Sequence, residues 1–209
     1  MICTLNGIKD SARDTTDKLA NKLEGFYGHH VARLEYPTRY WHNASDRALQ
    51  YQDGDHVLRQ VEYAAEISGE PVDLVAHSHG CLLASRMMEM GGSFPFRVVW
   101  LIAPALDCAW RFPATGANRI HVVSNHHDRA ILAAAFYATA WGGMGRFGWS
   151  MPAHYRGPPV TNHFDEARKW GRRMHSHYFH GSALTSLAER VHGSVKEANE
   201  RVWLEPEGC

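Results

Sequence analysis

A single serine, Ser78, lies where a short apolar run changes into a segment with helical spacing. The run Val72–Ala76 has the composition of a buried strand, and apolar residues after Gly80 recur at helical intervals. Ala76 and Gly80 therefore flank the serine on either side. Small residues at these positions suit a strained turn between a strand and a helix, where larger side chains would collide. The pattern A-x-S-x-G predicts a nucleophilic serine, with an ordinary helix N-cap as the alternative.

A serine hydroxyl becomes a good nucleophile when a base accepts its proton and a carboxylate orients that base. Asp128 follows the apolar run 120–124 and precedes a helical pattern. It is therefore a candidate acid, with a helix N-cap as its alternative role, and Asp107 is the competing acid. Three histidines compete as the base: His175, His177 and His180. The residues alone leave that choice open.

The segments that must position these side chains are short apolar runs separated by helical patterns. The runs lie at 2–5, 31–34, 72–76, 98–102, 120–124 and 160–162. Apolar strands that alternate with helices predict a parallel sheet covered on both faces. Right-handed crossovers then bring the C-terminal ends of the strands to one edge. We therefore predict the α/β class, as a three-layer α/β/α sandwich with a mostly parallel sheet of about six strands.

The helical patterns divide the rest of the chain. They predict helices over 11–24, 129–140 and 182–201, in addition to the helix that follows Ser78. Residues 36–54 are typical of a long polar and aromatic loop, and Asp55 is expected to cap a further helix that ends near Gly69. The 209 residues show no repeat or domain boundary, so we predict one domain, with a Gly- and Trp-rich cap segment at 141–159.

The composition limits the kinds of partner that the protein is expected to bind. Lys plus Arg equals Asp plus Glu, at 22 each, so charge favours neither nucleic acid nor an anionic membrane. No run reaches the length of a membrane span. The first residues lack a basic, apolar leader, and the four cysteines form no C-x-x-C pair. Reduced thiols and a cytoplasmic location are therefore expected. The sequence does not specify an oligomeric state.

Fifteen histidines raise the alternative of a metal site. His77 and His79 begin like a metallo-hydrolase motif, but the Asp-His half of that motif is absent after Gly80. The groups at 126–128 and 175–180 would supply ligands only if they met at the sheet edge. We predict that the protein uses no metal and no organic cofactor.

The chain resembles the α/β-hydrolases, and in particular their small esterases and lipases. The resemblance extends from the first strand to the closing helix. The matching segments are Asn6-Gly7-Ile8, Ala76-His77-Ser78-His79-Gly80, Val122–Asp128 and His175-Ser176-His177-Tyr178-Phe179. The last segment is similar to the family's frequent His-Ser-x-Tyr-Phe ending, which selects His175 as the base.

The resemblance implies a serine hydrolase with the triad Ser78, Asp128 and His175. It also implies an oxyanion hole formed by the backbone N–H groups of Ile8 and His79, because negative charge develops on the carbonyl oxygen during attack. The expected substrate is a small carboxylic ester with a short or medium acyl chain. A thioesterase, a lipase and a non-catalytic binding protein with this fold remain as alternatives.

Aromatic residues near the expected sheet edge are candidates for the substrate pocket. The candidates are Tyr36, Trp41, Trp141 and Trp149. Glycine next to aromatic residues in 141–151 suits a wall over an apolar pocket, and an aromatic surface cluster is the alternative. Activity should rise with pH around the reference histidine pKa of about 6.5, as the base loses its proton.

Overall fold

Six strands form one sheet in the computed structural model, which describes residues 1–7, 15–37, 46–90, 96–137, 142–165 and 175–202. The strands are β1 (Ile2–Leu5), β2 (Val31–Leu34), β3 (Asp73–His77), β4 (Phe96–Ile102), β5 (Ala117–Ser124) and β6 (Val160–Phe164). Their order across the sheet is β2-β1-β3-β4-β5-β6, and every neighbouring pair is parallel. The predicted parallel sheet of about six strands is confirmed.

The central strands are buried along their whole length because helices cover both faces. All residues of β1, β3 and β4 are buried, whereas the outer strands β2 and β6 have exposed positions. This pattern is expected of apolar parallel strands. In the ladder, Leu5 pairs with Ala76, and His77 pairs with Ile102. The turns that follow β1, β3 and β4 therefore open on the same edge.

Helices form a layer on each face of the sheet. The helices are α1 (Thr16–Tyr27), α2 (Arg47–Ser68), α3 (His79–Met90), α4 (Arg129–Tyr137), α5 (Met144–Phe147) and α6 (Gly181–Val202), with a 3₁₀ turn at His177–Phe179. Successive strand residues point to opposite faces. Val75 and Trp100 belong to the core beneath α1 and α6, and Leu74 and Val99 belong to the core beneath α2 and α3. The three-layer architecture follows from this alternation.

Helix α2 begins nine residues earlier than the sequence predicts. Its N-cap is Asp46, whose side chain accepts hydrogen bonds from the backbone N–H groups of Ala48 and Leu49. The prediction that Asp55 caps this helix after a loop to residue 54 is wrong. The first turns were missed because their buried face is polar: it consists of Gln50, Asp53 and Gly54. Such residues give no apolar periodicity.

Other boundaries differ by a few residues. Helix α1 continues through Gly25 and ends at Tyr27. Its C-cap is Gly28, which adopts a left-handed φ of 66° and whose N–H donates to Glu24 O. The predicted start of that helix, at residue 11, lies outside the described residues. β4 and β5 begin earlier than predicted, and β6 ends later.

The described helices include none that is long and apolar enough to cross a membrane. Cys3 and Cys81 are buried and Cys108 is partly exposed, and all three are free thiols. Cys209 lies outside the described residues.

Candidate active site

Ser78 is the single residue between β3 and α3. It adopts a φ of 54°, in the left-handed region that non-glycine residues seldom occupy. Its N–H donates to Ile102 O at 2.9 Å, and its carbonyl accepts from Cys81 N at 3.0 Å and Ala105 N at 3.4 Å. These bonds tie the turn to the neighbouring strand β4 and to the loop after it. The hydrogen bonds that the structure describes for Ser78 are made by its backbone, and its side chain is partly exposed.

Gly80 allows the start of α3 to lie directly against the end of β1. A Cβ atom at this position would lie 2.4 Å from Asn6 O and 2.9 Å from Leu5 O. Both contacts are shorter than real Cβ contacts, and both involve backbone atoms that cannot move aside freely. The second small residue of the A-x-S-x-G pattern is therefore needed for the approach of the β1 backbone. Ala76, the first small residue, is fully buried.

Asp128 is fully buried in the turn between β5 and α4. Its Oδ1 accepts hydrogen bonds from the backbone N–H groups of Ala130 and Ile131 at 3.0 and 3.1 Å. Its Oδ2 accepts a hydrogen bond from His175 Nδ1 at 2.8 Å. The helix N-cap and the partner of a histidine, which the sequence offered as alternatives, are thus two roles of one carboxylate.

The surroundings of Asp128 keep its carboxylate ionised. Burial raises its pKa, but the hydrogen bond and charge of His175, the N–H of Ile131 and the nearby His77 lower it. The net pKa lies below the usual aspartate value. An ionised carboxylate at this place can hold the His175 ring in one orientation and stabilise it when it is protonated.

His175 lies two residues before the 3₁₀ turn, with its side chain 16% exposed. Its ring lies against the ring of His77, with a centroid separation of 4.7 Å. Its carbonyl oxygen is 3.1 Å from His77 Nε2. Because His77 directly precedes Ser78, the base candidate lies beside the turn that carries the nucleophile candidate.

The competing candidates have other partners. His177 Nε2 lies 2.6 Å from Asp165 Oδ2, and His180 is exposed. Asp107 is exposed and accepts a hydrogen bond from Ala109 N within its own turn. Asp128 and His175 are the acid–histidine pair that lies beside the turn of Ser78, whereas His177 pairs with Asp165.

Of the two oxyanion-hole candidates, the structure describes His79. His79 is the first residue of α3, and its buried side chain has a pKa lowered to about 4, chiefly by burial and partly offset by Asp53. Ile8 lies outside the described residues. Asn6 is described, and its side-chain oxygen accepts from Thr15 Oγ1 and Thr16 N. It therefore fixes the start of α1 against the end of β1.

The structure describes two of the aromatic candidates for a substrate pocket, Tyr36 and Trp149. Tyr36 lies at the sheet edge, with its hydroxyl donating to Asn6 O at 3.1 Å and its ring 6.1 Å from that of His79. Trp149 donates to Trp110 O and packs edge-on against Tyr155. Trp41 and Trp141 lie outside the described residues.

The described part of the glycine-rich segment packs on the sheet edge. Met144 N and Gly145 N donate to Leu106 O and Pro104 O, each at 2.9 Å. A Cβ at Gly142 would lie 2.4 Å from Asp107 Cα, so glycine permits this contact. The backbone of this segment also bonds the end of β5, through Ser124 Oγ and Asn125 N. It thus supports the turn that carries Asp128.

A model of the alpha/beta hydrolase family matches residues 17–201. The chain belongs to this family. Solved structures with the same fold include carboxyl esterase 2 from the fungus Tuber melanosporum, at 10% identity and TM-score 0.54, covering 94% of this chain and 78% of that one. A carboxylesterase from Mesorhizobium loti is 14% identical, with TM-score 0.51 and coverage of 92% and 88%. A proposed thioesterase from Silicibacter sp. is 17% identical, with TM-score 0.51 and coverage of 90% and 71%.

At these identities the likeness shows the fold alone. The comparison with curated proteins gives no match. The resemblance to the α/β-hydrolases that the sequence suggested is confirmed by the family model and by the six-stranded parallel sheet.

Most histidines of this alpha/beta hydrolase that the structure describes are paired with each other or with aromatic rings. His121 Nδ1 lies 3.0 Å from His163 Nε2, and both rings stack on Trp100. His29 Nε2 lies 2.9 Å from His192 Nδ1. Within the described ranges, no group of three His, Cys, Asp or Glu side chains is arranged to hold a metal ion. Sequence reasoning missed these pairs because they join separate strands and helices.

Proposed function

We propose that the protein is a serine hydrolase that cleaves carboxylic esters of short or medium acyl chains, with Ser78, His175 and Asp128 as its triad. The observation that carries the proposal is the 2.8 Å bond between His175 Nδ1 and the buried Asp128 Oδ2, made beside the strained turn of Ser78. A carboxylate that holds the proton on Nδ1 leaves Nε2 of the neutral ring as an acceptor. A general base requires that tautomer.

The reaction would proceed in two halves. His175 Nε2 accepts the proton of Ser78 as the hydroxyl oxygen attacks the ester carbonyl, and the oxyanion is bound by the N–H groups of His79 and Ile8. Collapse of this intermediate breaks the bond to the alcohol, which receives the proton from His175. Water then attacks the acyl-enzyme with the same base, releases the acid and restores the serine. The serine–imidazole hydrogen bond is expected to tighten when substrate binds.

We further propose that aromatic residues line the substrate pocket. Tyr36, beside His79 at the sheet edge, is proposed to contact the substrate. Trp41, Trp141 and Trp149 remain candidates for the same pocket. An apolar aromatic wall would favour an acyl chain over a charged ligand.

Labelling with a fluorophosphonate tests the nucleophile. The wild-type protein should be modified at Ser78 and should hydrolyse p-nitrophenyl esters, and Ser78→Ala should do neither. Ser182→Ala is the matched control, because Ser182 is an exposed serine at the start of α6, and it should behave as wild type. A wild-type protein that neither reacts with the probe nor hydrolyses the esters would contradict the proposal and favour a non-catalytic binding protein.

The acyl specificity has a separate test. Oxygen esters and thioesters of matched chain length, from two carbons upward, distinguish an esterase from a thioesterase or a lipase, which use the same triad. We expect the highest kcat/KM for short or medium oxygen esters. A preference for thioesters or for long chains would replace this part of the proposal.

A further inference from the structure

His77 is a buried polar residue at the end of an otherwise apolar strand. Its side chain has no exposed surface. Its Nε2 lies 3.1 Å from His175 O, and its ring packs against the His175 ring and edge-on against Phe179, at centroid distances of 4.7 and 5.0 Å. It therefore contacts both the backbone and the side chain of the proposed base.

The acceptor in this contact determines which nitrogen of the His77 ring carries a proton. A carbonyl oxygen only accepts, so Nε2 of His77 must carry a proton and donate it. Loss of such a buried hydrogen bond is unfavourable, because the remaining partner is left unsatisfied away from water. A valine or isoleucine in this strand position would leave His175 O without this donor.

The same contact connects the strand that carries the proposed nucleophile to the backbone of the proposed base. Ser78 follows His77 in the chain, so the strand that carries the nucleophile also holds the carbonyl of His175. Asp128 holds the same residue through its ring, from the turn after β5. The two contacts come from different strands and act on different atoms of His175, which together restrict its position and its orientation.

We infer that His77 is a positioning residue, which holds the base against the nucleophile's own strand by donating a hydrogen bond to His175 O. This inference rests on the proposed function. A displacement of about 1 Å between reacting groups can lower a rate by about 100-fold. Loss of the donor should therefore reduce kcat and leave KM nearly unchanged, because the His77 side chain is fully buried.

The test compares two substitutions of similar size. His77→Gln keeps an N–H donor, and His77→Met fills the same space without one. We expect His77→Met to lower kcat for p-nitrophenyl esters by about 10- to 100-fold, with substantial recovery in His77→Gln. His121→Phe is the matched control, since it replaces another buried histidine stacked on aromatic rings, and it should keep the wild-type kcat. Thermal unfolding of each variant checks that it is folded.

A spectroscopic measurement keeps this test separate from the proposed function. The proton on His175 Nδ1, shared with a buried carboxylate, should give a far-downfield ¹H NMR signal in the wild type. We expect the signal to be lost or broadened in His77→Met and retained in His77→Gln. Equal kcat and equal spectra for these two variants would overturn the inference. A wild-type protein without hydrolytic activity would overturn the proposed function, and the spectra would still decide whether His77 positions His175.

Discussion

The carboxylate of Asp128 has two hydrogen-bonding roles, one for each oxygen. One oxygen caps helix α4 through two backbone N–H groups, and the other binds His175 Nδ1. Because both oxygens are occupied, the carboxylate cannot rotate without breaking one set of bonds. The orientation of the imidazole is thus determined by the start of a helix as well as by charge.

Substitutions at Asp128 should separate these two roles. Asn has one acceptor oxygen, so if that oxygen caps α4, the amide N–H₂ faces His175 and favours the wrong tautomer. Asp128→Asn should lower kcat by up to about 10,000-fold, the loss known for this change in serine-protease triads. Asp128→Ala should lose a similar activity and, in addition, about 0.5–2 kcal/mol of stability with the cap. Ester hydrolysis and urea unfolding measure the two effects, and equal stability of the two variants would contradict the capping role.

The residues that could be predicted from sequence are those with a local signature. Ser78 has small neighbours at fixed spacing, and Asp128 follows an apolar run and precedes a helical pattern. The pairing of His175 with Asp128 was expected from the family resemblance. The contact of His77 with His175 could not be predicted, because it depends on how a segment almost one hundred residues away folds over the strand end.

At the scale of elements, the close approach of α3 to β1 determines the geometry of the turn. Because Gly80 has no side chain, the start of the helix can lie against the carbonyl groups of Leu5, at the end of β1, and of Asn6, the next residue. Tyr36 adds a hydrogen bond to one of these carbonyls, Asn6 O. The end of β1 therefore contacts both the start of α3 and the Tyr36 side chain.

Gly80→Ala should disturb this junction. The added Cβ would lie 2.4 Å from Asn6 O, and such overpacking typically costs about 1–3 kcal/mol. Ester hydrolysis should fall with stability, because the turn and the N–H of His79 shift together. Gly193→Ala is the matched control: a Cβ there meets nothing within 4 Å in helix α6, so stability should rise by up to about 1 kcal/mol. Urea unfolding measures both, and an undisturbed Gly80→Ala would show that the contact is not restrictive.

The sequence predicts the elements whose buried residues are apolar better than it predicts those whose buried residues are polar. The sequence predicts strands β1, β3 and β4 because most residues in them are apolar, and all of them are buried. The first turns of α2 were missed because Gln50 and Asp53 form their buried face, next to Arg86. A polar helix interface gives no periodic hydrophobic signal.

For the whole molecule, the burial of several histidines has a consequence for stability. Burial lowers the pKa of His79 and His121 to about 4, and the charge of His163 adds to the effect at His121. Burial also lowers the pKa values of His163 and His29. The folded protein therefore resists protonation of these rings, whereas an unfolded chain takes up protons near the ordinary value of 6.5.

The free energy of unfolding should consequently depend on pH in the acid range. Between about pH 6.5 and 4 the unfolded state binds more protons, so the contribution of these histidines is complete above this range and is lost as the pH falls through it. His121→Phe, which keeps the stacking on Trp100, should reduce the slope by up to about 1.4 kcal/mol per pH unit, the value of one proton. Urea unfolding at several pH values measures it, and an unchanged slope would show that His121 does not contribute.

The left-handed backbone conformation of Ser78 is one that glycine would adopt more easily than serine. Holding a non-glycine residue in that region costs on the order of 1–3 kcal/mol, and glycine would adopt the same angles almost without penalty. A protein that merely recognised a partner through this surface would be more robust with glycine in the turn. The cost of this backbone conformation is accounted for if the hydroxyl is the nucleophile that we propose.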